Sequence, residues 1–303
     1  MELAIIGLGR MGGNMARRLV QRGHRVVGYS RTRATVEEYL PYQIVPAYTP
    51  EEVVQALPPP RILWFMYPAG APTESAIFQF AEKLSAGDLI VNGANSYYRD
   101  SMRYGEQLQA RGIHFADVGV SGGVWGLENG YGLMVGGSPE VVARLEPILR
   151  DLAPAPDSGW VHVGPVGAGH YAKMIHNGIE YGIMQAYAEG FELLRRKAEF
   201  GIDLARVAEA WCHGTVIRSW LLELIAGFLK EDSQMAEVAP FVADSGEGRW
   251  TAQEAIELGC PAPVITHALH ERFRSQDSEG FQYRFLAQLR KAFGGHAIKK
   301  QSE

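Results

Sequence analysis

Leu3-Ala4-Ile5-Ile6-Gly7-Leu8-Gly9-Arg10-Met11-Gly12 decides the fold. Four apolar residues in a row read as a strand buried on both faces of a parallel sheet. The next six residues carry glycine at the spacing G-x-G-x-x-G. Alone that pattern is weak, because glycine-rich turns also occur without a ligand. Here it leaves a strand, and the run from Met11 to Gln21 that follows reads as a helix stopped by Gly23. In that context the first glycine permits a tight turn. The second lets the backbone approach a pyrophosphate, and the third lets helix and strand pack closely. The helix N-terminus presents unpaired N–H groups and a positive dipole end to the phosphates. Gly7, Leu8, Gly9, Arg10, Met11 and Gly12 are therefore the candidate dinucleotide cradle.

Outward from this turn, strands are expected over 25–29, 61–66, 88–92 and 113–118, with helices over 73–84 and 96–110. Such alternation implies a parallel sheet with helices on both faces. The character changes after the breaker-rich stretch Ala153-Pro154-Ala155-Pro156-Asp157-Ser158-Gly159. Beyond Gly164-Pro165-Val166-Gly167 no β-alternation is visible. One long helix is expected over 168–200, then others near 203–211, 220–230, 251–258, 264–274 and 281–293. The expected architecture is an α/β N-terminal Rossmann-type doubly wound sheet followed by an all-α C-terminal domain. Residues 1–163 would form the dinucleotide-binding domain, and 164–303 a helical domain for substrate and dimerisation. A length of 303 residues suits two such domains.

Composition narrows the functional classes. A net charge of -5 argues against a nucleic-acid partner but leaves room for a local basic pocket. Cys212 and Cys260 lie far apart without metal-ligand spacing, so free thiols and no metal centre are expected. No leader and no bilayer-length apolar run is recognisable, so a cytoplasmic protein without a membrane partner is expected.

Cofactor preference is read at the end of the second strand. An NAD site usually places Asp or Glu there for the ribose hydroxyls. This chain has Ser30-Arg31-Thr32-Arg33, with no carboxylate until Glu37. Arginines and hydroxyls suit a 2′-phosphate, which favours NADP, while NAD stays open if Arg31 stacks on the adenine. Tyr67 ends the next strand and is a candidate cofactor contact, although packing explains it equally well.

The most specific chemistry lies in Lys173-Met174-Ile175-His176-Asn177-Gly178-Ile179-Glu180-Tyr181-Gly182. Lys173, His176, Asn177 and Glu180 recur at i, i+3, i+4 and i+7, which aligns them on one helix face. Met174, Ile175 and Ile179 would face the helical core. A solvated stripe with a helical salt bridge would also have this spacing. Glycines at 178 and 182 weaken a helix, however, and so imply close approach by a backbone or a ligand.

This run, together with the glycine turn, resembles 6-phosphogluconate dehydrogenases of the β-hydroxyacid dehydrogenase superfamily, in their short, decarboxylating form. The resemblance extends to Phe293-Gly294-Gly295-His296. It implies oxidation of 6-phosphogluconate at C3 and loss of carbon dioxide to give ribulose 5-phosphate, a step of the pentose phosphate pathway. By that resemblance Lys173 is the general base and Glu180 the general acid, with Asn177 and His176 orienting groups. Asn95 would touch both substrate and nicotinamide, and Ser121, Gly122 and Gly123 would cradle the substrate carboxylate. Tyr181 and Arg272 match phosphate contacts. Arg290 and His296 match residues that close the site of a neighbouring subunit, which implies a homodimer or homotetramer. One departure stands out. The stretch Asp244-Ser245-Gly246-Glu247-Gly248-Arg249-Trp250-Thr251 lacks the lysine that long-form members bring to the phosphate, and Glu247 would repel it.

Two other functions compete. A β-hydroxyacid dehydrogenase for a small unphosphorylated acid would share the glycine turn and the lysine, but would usually carry Asn-Asn after the lysine and lack the acid at Glu180. A non-catalytic dinucleotide-binding regulator would have no need of Lys173 and Glu180.

Overall fold

The computed structural model describes residues 1–299, and its contacts divide the chain into two compact units, Met1–Asn177 and Gly178–Glu303. In the first unit β1 (Glu2–Ile6) leads through the glycine turn into α1 (Arg10–Gln21), and β2 (Arg25–Tyr29) follows. Next come α2 (Arg33–Glu37), β3 (Val45–Ala47), α3 (Pro50–Gln55), β4 (Ile62–Phe65), α4 (Ala71–Ala81), β5 (Leu89–Asn92) and α5 (Tyr98–Gln109). The unit continues with β6 (His114–Ser121), α6 (Gly126–Asn129), β7 (Gly132–Gly136), α7 (Pro139–Leu152) and β8 (Trp160–Gly164). The eight strands form one sheet in the order β3-β2-β1-β4-β5-β6-β7-β8. All neighbours are parallel except β6 and β7. The direction of winding reverses between β1 and β4, the switch point at which open α/β sheets bind ligands beyond their strand ends.

Alternation along the strands builds the two faces. Leu3 and Ile5 join Trp64 and Val91 in one core, against Met15 and Leu19 of α1 and Leu145 and Leu149 of α7. Ala4 and Ile6 point the other way, with Leu63, Phe65 and Ile90, against Ile77 and Phe80 of α4 and Tyr104 and Leu108 of α5. Continuous apolar runs are thus required, because both faces are covered.

Three strands lie outside the sequence expectation: β3, β7 and β8. β3 has three residues and β7 is bracketed by glycines, so neither shows a readable period. β8 is an edge strand whose valines are largely exposed, so its pattern points away from a core.

The long helix α8 (Ala168–Arg196) ends short of residue 200, where a separate turn of 3-10 helix, Ala198–Phe200, closes on Gly201 in the left-handed region. The second unit holds most of α8, then α9 (Leu204–Trp211), α10 (Trp220–Glu231), α11 (Glu247–Glu257), α12 (Pro263–Gln276) and α13 (Phe281–Gly294). Ala208, Leu222, Ala226 and Leu229 form one small core there, and Tyr181, Ala252, Ala268 and Leu269 another.

Of the residues expected to face that core, Met174 is buried but Ile179 is 50% exposed. The buried face is set by glycines instead. A Cβ at Gly178 would lie 2.6 Å from the Thr251 side chain, and one at Gly182 would lie 3.2 Å from Val264. Neighbouring helices approach where α8 has no side chain; Ile175 is half-buried, and Ile179 is left outside.

At the start of α8 the constraint is tighter still. A Cβ at Gly169 would sit 2.5 Å from the carbonyl oxygens of both Asp117 and Met134, and 2.7 Å from the Gly136 nitrogen. Backbone cannot yield as a side chain does, so Gly169→Ala is expected to lose stability by about 1–3 kcal/mol, outweighing alanine's helix propensity. Gly190, in the same helix, has nothing within 4 Å of an added Cβ. Gly190→Ala should therefore gain up to about 1 kcal/mol. Urea denaturation of both variants tests the contrast, and midpoints moving the same way would refute it.

Candidate active site

The three glycines of the turn sit in different surroundings. Gly7 has φ 107°, in the region that favours glycine, and a Cβ there would lie 2.8 Å from the Met66 carbonyl oxygen. At Gly12 a Cβ would fall 2.0 Å from the Gly7 oxygen, so this glycine lets α1 close onto the turn. Gly9 differs, for a Cβ there would meet nothing within 4 Å. It is the N-cap of α1 and provides no side-chain cap, so open space faces an uncapped helix N-terminus. That combination fits the pyrophosphate of a dinucleotide.

Ser30 is buried, and its hydroxyl accepts the Leu8 backbone N–H at 2.8 Å. It straps β2 to the turn and keeps its own proton to donate. Arg31 is exposed, with its guanidinium 5.7 Å over the Tyr67 ring, and makes no ion pair among the described residues. Arg33 is committed elsewhere: it pairs with Glu37 at 2.8 Å and stacks over Tyr48. Of the two arginines that favour NADP, Arg31 is the one available, next to the exposed Thr32. Tyr67 lies against Gly7, and its buried hydroxyl has no hydrogen-bond partner among the described residues. Burial pushes its pKa up to about 12, so it acts as a neutral donor.

Across the switch point, β5 ends at Asn92. Its side chain donates to the Ser96 hydroxyl and accepts the Ala94 N–H, which leaves Asn95 exposed at the tip. α5 starts at Tyr98, two residues later than the expected start at 96, with Tyr97 as its N-cap. Ser121 ends β6, and Gly122 and Gly123 follow with φ of 122° and 55°. Nothing lies within 4 Å of a Cβ at Gly123. The turn thus exposes backbone N–H groups next to a hydroxyl, a geometry suited to a carboxylate.

Lys173 lies on the first part of α8 and is buried, 7% exposed. A Cβ at Gly119 of β6 would be 2.3 Å from the Lys173 Cβ, so the lysine rests directly on strand backbone. Its Nζ donates to Asn177 Oδ1 at 2.8 Å and lies 3.4 Å from His176 Nδ1, itself 3.1 Å from the same Oδ1. Three of the four stripe residues therefore form one hydrogen-bonded group. Glu180 follows one turn further along α8, in the second unit.

Asp117 was not anticipated. Its carboxylate is fully buried and accepts the N–H groups of Gly167 at 2.6 Å and His170 at 2.7 Å, capping α8 from a strand about fifty residues earlier. Glycines within β6 and β7 were the available signal, since glycine inside a strand often marks close backbone approach.

In the second unit the Arg272 guanidinium stacks on the buried Tyr181 ring at 3.4 Å and donates to the Ala243 carbonyl. The two predicted phosphate contacts are therefore neighbours. Ser245 donates its hydroxyl to Glu247 at 2.5 Å, and Arg249 holds Asp244 below the usual carboxylate range. Arg290 lies on α13, and His296 follows that helix; both are exposed.

Comparison with known proteins fits this geometry. The NAD binding domain of 6-phosphogluconate dehydrogenase matches residues 2–164, and the C-terminal domain of 6-phosphogluconate dehydrogenase matches 169–300. The chain belongs to the 6-phosphogluconate dehydrogenase family. An NAD(+)-dependent, decarboxylating member from Haloferax volcanii is 39% identical over 304 residues, covering 100% of both chains. An NADP(+)-dependent, decarboxylating member from Bacillus subtilis is 36% identical over 291 residues, 92% of this chain but 62% of its own length. The solved Plasmodium falciparum 6-phosphogluconate dehydrogenase, studied apo, with NADP+ and with 6-phosphogluconate, superposes with a TM-score of 0.84 at 27% identity. That match covers 100% of this chain and 67% of the other. Among the described residues, no helix is long and apolar enough to cross a membrane.

The Ser30 strap is directly testable. Ser30→Ala strands the buried Leu8 N–H, and a lost partner of this kind costs about 1–3 kcal/mol. A lower guanidinium midpoint and weaker dinucleotide binding by fluorescence titration are expected. Parent values for both would remove the strap from the site.

Proposed function

We propose that the chain oxidises 6-phosphogluconate at C3 and decarboxylates the product to ribulose 5-phosphate. The observation that carries this reading is the buried Lys173, held by Asn177 at 2.8 Å on a helix docked against the strand that ends at Ser121. The names of the relatives agree with it. Bound at the Gly7–Gly12 turn, an oxidised nicotinamide dinucleotide supplies the hydride acceptor that the side chains lack.

Lys173 as a neutral amine takes the C3 hydroxyl proton while its other N–H bonds stay oriented by Asn177 and His176. As an ammonium it then polarises the new ketone, so that electrons released with carbon dioxide have a destination. Glu180, one turn past Asn177, gives a proton to C1 of the resulting enediol while the Lys173 amine takes the enol hydroxyl proton. Ser121, Gly122, Gly123 and Asn95 hold the carboxylate end, while Tyr181 and Arg272 receive the phosphate. Arg31 and Thr32 favour NADP over NAD.

Arg290 and His296 act on the site of a second copy. The exposed Phe281, Tyr283, Phe285, Leu286 and Leu289 of α13 support this, because an apolar helix surface of this kind requires a covering partner. A homodimer is the smallest assembly that provides one.

Reduced-nicotinamide absorbance with 6-phosphogluconate and each oxidised cofactor tests the reaction, and silence with both would sink it. Carbon dioxide release separates decarboxylation from simple oxidation. Lys173→Met should abolish hydride transfer while dinucleotide affinity is kept; turnover at the parent rate would remove Lys173 as base. Arg31→Ala should lose roughly 10- to 100-fold in kcat/KM with NADP and little with NAD, as expected for a charged hydrogen bond of about 1.5–3 kcal/mol. Arg290→Ala should raise the KM for 6-phosphogluconate, and an unchanged value would take the tail out of the site.

A further inference from the structure

One turn before Lys173, His170 is 1% exposed and takes no part in the chemistry above. Its Nδ1 lies 2.6 Å from the Ser101 hydroxyl of α5 and 4.0 Å from the Asp117 carboxylate of β6. Its Nε2 is buried with no hydrogen-bond partner among the described residues. Burial lowers its pKa, against the Asp117 carboxylate and backbone groups of Val118 and of Asn92 and Ala94, in the loop that carries Asn95, which favour a proton on the ring. The imidazole is therefore neutral. Aliphatic side chains would fill such a space more cheaply, since a buried polar atom left unpaired is costly. The ring instead meets three parts of the site: the helix of Lys173, the loop of Asn95 and the strand that leads to Ser121.

We infer that His170 is a positioning residue, which with Ser101 and Asp117 fixes the first turn of α8 against the β5 loop and so sets where the Lys173 amine stands relative to Asn95. The inference rests on the proposed role of Lys173 as base. Ser101 anchors the ring to α5, and Asp117 binds the His170 N–H and orients the backbone that carries the ring. Loss of the imidazole would let the lysine drift by a fraction of an ångström. Misplacement of a reacting group by about 1 Å is enough to cost roughly 100-fold in rate.

The test uses the full chain carrying His170→Leu, His170→Asn or Ser101→Ala, with 6-phosphogluconate protiated or deuterated at C3. His170→Leu should lower kcat roughly 10- to 100-fold, with KM and dinucleotide affinity near parent values. The deuterium isotope effect on kcat should rise as hydride transfer becomes slower. In His170→Asn an amide atom stands where Nδ1 stood, and most of the rate should return. A folded His170→Leu with parent kcat and isotope effect overturns the inference, as does an Asn variant no better than Leu. If His170→Leu does not fold, Ser101→Ala decides: reduced kcat with a raised isotope effect supports the inference, and parent behaviour overturns it. Lys173→Met run alongside separates the two readings. If it is inactive while His170→Leu behaves as the parent, only the role of His170 falls. If it turns over normally, the assignment of the base falls first.

Discussion

The site depends on a buried carboxylate at the start of a helix. Asp117 is fully enclosed and accepts two backbone N–H groups from the first turn of α8 and the residue before it. A charge so enclosed is tolerable only when its oxygens are satisfied, and the positive end of a helix dipole adds to those bonds. The partnership is directional. It fixes the rotation of α8 about its axis, and that rotation brings Lys173 onto Gly119. A cap on α8 itself would stabilise the helix without fixing it to the sheet. A cap from β6 does both.

Glycine serves two opposite purposes around this helix and around the dinucleotide turn. At Gly12, Gly119 and Gly169 an added Cβ would collide with protein, so these glycines bring protein segments together. At Gly9 and Gly123, both beside strand ends, an added Cβ would meet nothing, so these leave the backbone open. The first kind builds the walls and the second marks the gap. Both gaps lie beyond strand ends of the sheet, where backbone N–H groups are left over for an anionic ligand.

Legibility in the sequence follows the range of the interactions. The glycine turn is readable because its geometry is completed within six residues and its context within twenty. The Lys173–Asn177 bond is readable because four residues apart is one helical turn. Asp117 is invisible, since fifty residues and the register of β6 separate it from the N–H groups it binds. Ser30 is half legible: its position after β2 marks a candidate cofactor residue, but the parallel pairing of β1 with β2 also brings its hydroxyl to Leu8. Ile179 misleads because hydrophobicity alone suggests the buried face, whereas Gly178 and Gly182 set it through close approach to α11 and α12. The Ser245–Glu247 bond could not be foreseen either, since a loop that repels phosphate and a loop that satisfies itself read alike.

Ser30 and Arg31 are adjacent, yet they answer to different constraints. Ser30 is buried and holds the turn, so altering it disturbs the cradle for any dinucleotide. Arg31 is exposed, bears on the Tyr67 ring and supports no part of the sheet, so it is free to vary. Arg33, also exposed, has its charge answered by Glu37 and contributes little to a distant phosphate. On the proposed reading, discrimination between the two dinucleotides would rest on side chains that add nothing to the fold. Relatives named for NAD(+) and for NADP(+) match the chain at 39% and 36% identity, so overall similarity does not set the preference.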